Sequence, residues 1–416
     1  MSVMDIFLSK RKSNSIIEII SKVWLLSNAF IWYFCIYFLF KNIVAEVKPN
    51  HLVNASIWFA NFVGAATSTL TCSALMNDPK KRLRMLTSWV FLGVLSTLLI
   101  LLCDKIIVIA NVVISFFIGI SFGMGLPVYM GYYTDTTPIE KRGQLAGLIL
   151  LFSYVGSFAL FLITTYFQIV VTVVILAIFR ASSLLTIPFL KRLSETNIFR
   201  KGRVPKYVEI LGQRAFIYYF IPWLTFSLVN YLSLPIQLRT LGEDIGNNLV
   251  LIENVLIGIF AIIGGYLSDA IGRKRPTIIG FLLLGIGYGI LGIGYENLFS
   301  WYIYTVIDGV AWGVLEVVLL FTIWGDLAQV GLSERYYALG GLPYLFSSFL
   351  RITLGPYVAE RVPAYAIFSF VAFFLFLAIF PLMFAPETLP EKTLRERELR
   401  SYIERAKRVR EKFTRG

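Results

Sequence analysis

Long apolar stretches separated by short polar segments run through the whole chain. Hydropathy, together with the turn residues and charges that interrupt the apolar runs, predicts twelve membrane helices. Each is close to the roughly 20 residues that a helix needs to cross the hydrocarbon core of a bilayer. The pattern therefore predicts an all-α integral membrane protein. The expected helices are 17–40, 54–76, 86–103, 106–132, 145–163, 168–190, 215–235, 248–268, 276–295, 298–325, 338–359 and 364–385.

Composition supports this class. Of 416 residues, 57% are hydrophobic and 15% are charged, against about 25% charged in typical soluble domains. The single histidine, His51, falls in a predicted outer loop, and the cysteines Cys35, Cys72 and Cys103 fall inside predicted helices. This distribution favours neither a metal or nucleophile constellation nor a disulfide framework. We expect no cofactor and no enzymatic activity. The first span lacks a small-residue cleavage site and is expected to be a retained anchor.

Basic residues are distributed unevenly between the two sides of the membrane. Thirty of the 38 Lys and Arg residues fall at the N-terminus, in the even-numbered loops or in the tail, and five fall on the opposite side. Positive charge concentrates on the cytoplasmic side of membrane proteins. We therefore expect a multi-pass protein of the plasma membrane with both termini in the cytoplasm. Topology then explains the net charge of +13, and no nucleic-acid partner is expected.

The chain contains an internal repeat. This repeat predicts two six-helix halves, 1–190 and 215–385. A cytoplasmic linker, 191–214, joins them, and a basic tail, 386–416, follows. The tail has apolar residues at helical spacing, so it is expected either on the lipid surface or as a solvated helix. The repeat rests on Asp78 with Asp269 and Asp135 with Asp326, each pair 191 residues apart, and on Arg142 with Arg335, 193 apart.

A glycine-containing acidic and basic loop lies between the eighth and ninth spans. It reads Gly265-Tyr266-Leu267-Ser268-Asp269-Ala270-Ile271-Gly272-Arg273-Lys274-Arg275. It resembles the loop signature of the major facilitator superfamily (MFS), Gly-x-Leu-x-Asp-Arg/Lys-x-Gly-Arg-Arg/Lys, with Ala270 in place of a cation. The other reading is a generic charged hairpin between membrane helices. The N-terminal counterpart, Asp78-Pro79-Lys80-Lys81-Arg82, keeps the charges but lacks both glycines.

A second motif lies after the fourth span. Tyr132-x-x-Asp135-x-x-Pro138-x-x-x-Arg142-Gly143 resembles a pattern of sugar-porter members of the MFS, with Asp in place of Glu. Pro386-Glu387-Thr388 is similar to the beginning of a C-terminal motif of that group. The seventh span lacks the group's Gln-Gln and Tyr-Tyr markers. The local resemblance therefore implies a cytoplasmic gate like that of the sugar porters, but it does not imply their substrate.

The MFS resemblance implies two six-helix bundles around a central cavity and a cytoplasmic gate between them. Asp269 is expected near the N-terminus of the fifth helix, around Leu145, where unpaired amides and the helix dipole stabilise a carboxylate. The alternative is that these charges only enforce topology. The expected gate residues are Asp135, Arg142, Gly265, Asp269, Gly272, Arg273 and Arg335.

Ionisable residues inside the predicted spans are candidates for solute binding or proton coupling, because each costs roughly 2.5–3.5 kcal/mol to insert. Asp308 and Arg351 are expected about 14–15 Å deep, facing each other or sharing the cavity. They either form a static salt bridge or act separately, Arg351 holding a carboxylate or phosphate and Asp308 taking a proton. Glu253 is expected to accept a proton, contact solute or be simply hydrated, and Glu316 to relay protons inward. Trp312 shares the helix face of Asp308 and Glu316.

The N-terminal half offers polar and aromatic groups to the cavity, namely Asn28, Trp32, Asn61 and Tyr154. Such groups suit sugars or aromatic solutes, although membrane helices also use them for packing. Arg180, on the peripheral sixth span, is expected to snorkel or to pair helices.

These observations predict an MFS-type secondary transporter that moves a small organic solute, a sugar or an organic anion, by alternating access. Proton coupling is the preferred mode. An uncoupled facilitator and a non-transporting membrane sensor are the alternatives. The expected partners are the solute, protons and membrane lipid, and the protein is expected to be a monomer.

Overall fold

The computed structural model describes residues 3–47, 49–76, 79–103, 108–194, 204–328 and 333–389. Within these ranges the chain forms helices and connecting turns, without a strand. Asp78, segment 195–203 of the expected linker and segment 390–416 of the expected tail lie outside the described residues.

The described part of the chain contains twelve long helices, and the all-α membrane fold is confirmed. A short helix, Tyr207–Leu211, precedes the seventh. The long helices are α1 Val3–Glu46, α2 His51–Leu75, α3 Pro79–Leu99, α4 Val108–Thr136, α5 Arg142–Thr165, α6 Ile169–Leu190, α7 Arg214–Leu241, α8 Glu243–Ile271, α9 Lys274–Gly294, α10 Leu298–Leu327, α11 Glu334–Arg361 and α12 Ala364–Phe384.

Ten of the described helices are both long enough and apolar enough to cross a membrane. The other two, α2 and α11, have 25 and 28 residues and more polar sequences. These two pack against each other, and α2 also packs on α4. Since much of their surface faces protein, they need fewer apolar residues than helices surrounded by lipid.

Several helices differ from their predicted bounds. Helix α1 begins well before the apolar run, at Val3, and α8 begins five residues before its expected start. Two helices are interrupted. Helix α4 breaks at Gly125, where a Cβ would collide with the Trp89 ring, and α10 contains a π-helical segment, Val317–Thr322. Hydropathy finds the apolar core of a helix but neither its polar extensions nor a local change of pitch.

The helices form two bundles, α1–α6 and α7–α12, that meet along two seams. Helix α5 packs against α8, and α2 against α11. Helices α5 and α8 approach closely because glycines line their contact. A Cβ on Gly143 would collide with the Gly265 carbonyl oxygen, and a Cβ on Gly147 would lie 2.5 Å from the Ala261 carbonyl oxygen. We call the end of the bundle where α1, α3, α5, α7, α9 and α11 begin the basic face, and the other end the opposite face.

Candidate functional site

Asp269 joins the two halves at the basic face. It lies at the end of α8, and its carboxylate accepts hydrogen bonds from the backbone amides of Gly143 (2.9 Å) and Gln144 (2.8 Å) at the start of α5. These are the amides that a helix leaves unpaired at its N-terminus, where the helix dipole also favours a negative charge. The absence of side chains at Gly143 and Gly265 lets the two helices approach closely enough for this contact.

Arg273 connects Asp269 to a second carboxylate. Its guanidinium donates to Asp269 at 2.6 Å, to Asp326 on α10 at 2.8 Å, and across the halves to the Ile139 carbonyl at 2.6 Å. Burial alone would lower the pKa of Arg273, but Asp326 and Asp269 more than offset this and raise it above its ordinary value. Arg273 therefore stays charged. Arg142 on α5 completes the group by donating to Asp326 across the halves at 2.6 Å.

A second cross-half pair is absent from the sequence-based expectations. Arg82 on α3 donates to Asp135 of its own half at 2.6 Å and to Glu334 on α11 at 2.6 Å. The sequence does carry a signal for it, because Arg82 precedes Arg273 by 191 residues, the same offset that relates Asp135 to Asp326. The loop motif does not reveal Arg82, because the loop around it has lost its glycines.

Glu387 caps the start of α9. Its carboxylate accepts from the Arg273 amide (2.7 Å) and the Lys274 amide (3.1 Å). Gly272 makes room for it: the residue has φ +97°, and a Cβ there would collide with a Glu387 oxygen. Gly272 therefore serves the loop conformation and this cap.

Arg335 also links the two halves at the basic face, through hydrogen bonds to backbone carbonyls. It donates to the carbonyls of Ala74 (3.2 Å) on α2 and Pro205 (2.8 Å), and it lies over the Tyr207 ring. It thus ties α11 to α2 and to the segment before α7. Its repeat partner Arg142 instead binds Asp326, so the two halves are not symmetric at this face.

Deeper in the bundle, two carboxyl groups lie side by side. Glu253 on α8 and Asp308 on α10 lie where these two helices pack together, and each acts on the other electrostatically. The two helices touch here because Gly309 has no side chain; a Cβ there would lie 2.5 Å from that of Leu256. Asp308 is buried, and its Oδ1 has no hydrogen-bond partner among the described residues.

Arg351 on α11 does not form the expected ion pair with Asp308. Among the residues described, no N–O distance of 4 Å or less joins the two side chains, although Arg351 acts electrostatically on both Asp308 and Glu253. All three lie ten residues from the opposite-face end of their helices, about 15 Å deep. Asp308 and Arg351 lie at one level, as residue counting predicts, and Glu253 lies deeper than expected because α8 begins early, but Asp308 faces α8 instead of α11. The Nε of Arg351 is buried without a partner in the described part of the chain.

Glu316 forms a cross-half contact eight residues, about 12 Å along α10, closer to the basic face than Asp308. Tyr154 on α5 donates to its Oε1 at 2.8 Å, while Oε2 is buried without a described partner. The π-helical segment begins at the next residue. Such segments are rare and are frequent at functional sites, because the wider turn rotates the side chains beyond it.

Tyrosines line the space between the halves. Tyr33, Tyr37 and Tyr344 are half-buried, and Tyr344 lies near both Glu316 and Arg351. Asn61 does not face this space freely: it accepts from the Tyr33 hydroxyl at 3.0 Å and donates to the Ser115 carbonyl.

Trp312 packs edge-on against Phe226 at 4.7 Å and against Tyr344 at 6.4 Å between ring centroids. It is 7% exposed and forms part of the wall beside Tyr344.

Asn28 and Trp32, expected to line the cavity, lie instead inside the N-terminal half. Both are fully buried, and both contact Arg180, which donates to Asn28 at 3.1 Å and lies over the Trp32 ring. Trp89 covers Arg180 at 4.5 Å from the ring centroid. Arg180 therefore joins α1, α3 and α6, which is the expected helix pairing and not snorkelling. Sequence indicates the depth of a residue but not the direction it faces around the helix.

The positions of these groups distinguish the two ends of the molecule. At the basic face the polar contacts between halves are buried, whereas Tyr33, Tyr37, Glu253 and Arg351 keep partial exposure nearer the opposite face. The accessible polar surface between the halves therefore lies on the opposite-face side of Glu316.

No protein-family model and no curated protein sequence matches the chain. Solved structures do. The human organic anion transporter MFSD10 (TETRAN) is similar with a TM-score of 0.63 and 16% identity, covering 89% of this chain and 99% of that one. The chain has the fold of major facilitator superfamily transporters. The MFS proton:xylose symporter XylE, bound to 6-bromo-6-deoxy-D-glucose, is similar with a TM-score of 0.61 and 15% identity, covering 90% of this chain and 96% of that one.

The E. coli fucose:proton symporter FucP is similar with a TM-score of 0.64 and 12% identity, covering 89% of this chain and 99% of that one. The MFS resemblance of the loop motifs is thus confirmed at the level of the fold. At these identities the comparison carries no information about which solute binds.

Proposed function

We propose that the protein is a secondary transporter that carries a small organic solute across the membrane by alternating access. The solute binds between the two halves, at the level of Glu253, Asp308 and Arg351. The observation that carries this proposal is the position of these three ionisable groups, about 15 Å deep and next to the seam between the bundles. Ionisable groups are costly in a membrane and persist there for function.

The basic face acts as the gate. In this conformation Asp269, Arg142 and the Arg82–Glu334 pair hold the halves together at that face. Breaking these contacts and closing the opposite face would expose the solute to the other compartment. The basic face is cytoplasmic in this proposal, in keeping with the distribution of Lys and Arg, and the protein resides in the plasma membrane.

Transport of the solute is coupled to protons through the carboxyl groups between the halves. Glu253 and Asp308 lie where a solute would bind, and Glu316 lies closer to the gate, in contact with Tyr154 of the other half. A proton gained or lost at these groups changes the charge of the interface between the halves. This gives a physical route from proton binding to the balance of conformations.

Uptake of solute into proteoliposomes tests the proposal. The purified protein, its Asp308→Asn variant and a Glu360→Gln variant, which removes an exposed carboxylate at the opposite face, are offered sugars and organic acids with and without an imposed pH gradient. We expect accumulation that needs the gradient in the unmodified protein and in Glu360→Gln, and loss of accumulation in Asp308→Asn. Equal downhill uptake by all three, indifferent to pH, would identify a facilitator. No uptake of any solute would favour a sensor.

A further inference from the structure

The two adjacent carboxyl groups, Glu253 and Asp308, act as one unit. Two neighbouring carboxylates repel each other, which favours a single proton shared between them and one negative charge on the pair. Titratable groups on four helices act electrostatically on the pair: Tyr304 and Glu316 on α10, Tyr288 on α9, Tyr154 on α5 and Arg351 on α11.

Arg351 is the cation that balances this charge. It acts on both members of the pair from α11 but forms an ion pair within 4 Å with neither, and its Nε is buried without a described partner. A guanidinium in this state has unused donors and an incompletely satisfied charge. It is a ready partner for a carboxylate, which it binds with two parallel hydrogen bonds.

The walls beside Arg351 suit an organic body. Tyr37 and Tyr344 both lie near Arg351, and the structure gives neither hydroxyl a hydrogen bond with another described residue. Their rings present flat apolar surface, and their hydroxyls are available to a polar substituent. A small carboxylate with an apolar or aromatic body would therefore find a cation and two ring faces in one place.

We propose that the solute is an organic carboxylate held by Arg351, and that its binding loads a second proton onto the Glu253–Asp308 pair. When the solute's charge neutralises Arg351, the pair loses its balancing cation, so it binds a proton more tightly. The proton moves from water to a carboxylate oxygen of the pair, and no other bond changes. One monocarboxylate and one proton then cross together, and the loaded site has the same net charge as the empty one. This inference rests on the proposed transport function.

Binding is tested first, without transport. The thermal unfolding temperature of the detergent-purified protein is measured with benzoate, lactate and phenylacetate, and with their neutral amides as matched probes. We expect carboxylates to stabilise the protein and amides to have at least tenfold weaker effect. The effect of carboxylates should disappear in Arg351→Gln but persist in Arg361→Gln, which removes an exposed arginine from the same helix. Equal stabilisation by amides, or binding by no carboxylate at millimolar concentration, would overturn the inference.

The coupling is tested in proteoliposomes with the best-bound carboxylate. Uptake should follow the pH gradient and be unchanged when potassium and valinomycin set a membrane potential, because one anion and one proton carry no net charge. The Glu253→Gln/Asp308→Asn double variant should still exchange the carboxylate but fail to accumulate it. Potential-driven uptake, or unchanged accumulation by the double variant, would contradict the shared proton. Gradient-driven uptake of a sugar alone would overturn the solute class and leave the transport function intact.

Discussion

Replacing Asp269 by Asn should open the basic face. The carboxylate accepts from two amides, those of Gly143 and Gln144, and from Arg273. An asparagine of the same shape has one acceptor oxygen, so one of the two amides would be left facing an NH₂ group. A charged hydrogen bond contributes about 1.5–3 kcal/mol, and a charge at a helix N-terminus about 0.3–1 kcal/mol.

The loss of closed-state stability is therefore about 2–4 kcal/mol, a roughly 30- to 1000-fold shift toward separation of the halves at this face. Double electron–electron resonance measures it directly. Spin labels are placed at Arg84 and Arg275, which are exposed on opposite halves of the basic face, after replacement of Cys35, Cys72 and Cys103. We expect the Asp269→Asn distribution to move to longer distances.

A Glu360→Gln variant serves as the control, since it removes a carboxylate from the opposite face. Identical distance distributions in Asp269→Asn and in this control would refute the reasoning. They would mean that the contact with α5 contributes little to holding the halves together.

Three further changes test other contacts. Arg82→Gln and Glu334→Gln should each lower the unfolding temperature. The free energy of unfolding lost in the double variant should be smaller than the sum of the two single losses by at least about 1 kcal/mol, because the partners interact directly; additive losses in calorimetry would contradict the pairing. Gly147→Leu should separate α5 from α8 and destabilise the protein, whereas Gly289→Ala should be tolerated, since nothing described lies within 4 Å of its Cβ position; equal melting temperatures would contradict the packing. Arg180→Gln should lower thermal stability through loss of two ring contacts, each about 0.5–2 kcal/mol, and an unchanged melting temperature would contradict this.

The fold is largely predictable from the sequence because hydropathy reports a strong physical requirement, the burial of apolar surface in lipid. The position of Asp269 is predictable as well, since the loop motif fixes both its charge and its place at a helix end. Depth along a helix also follows from residue counting, which puts Asp308 and Arg351 at one level.

Rotation about the helix axis does not follow from the sequence. Asp308 faces α8 and not α11, and Trp32 faces Arg180 and not the space between the halves. An error of one residue in register turns a side chain by about 100°, enough to change its neighbours. The π-helical segment after Glu316 adds a local rotation that no apolar pattern reveals. Arg82 escapes prediction for another reason: its offset from Arg273 is visible, but the motif around it has degraded.

Two of the contacts between the halves at the basic face use different kinds of atoms. Asp269 binds the backbone of α5, and Arg82 binds the side chain of Glu334. Every residue except proline supplies a backbone amide, so related sequences should vary freely at position 144, proline apart, while keeping an acid at 269. Positions 82 and 334 have no such freedom, and a change at one should be accompanied by a compensating change at the other. Correlated substitution should therefore mark the Arg82–Glu334 contact and be absent from the Asp269–Gln144 contact.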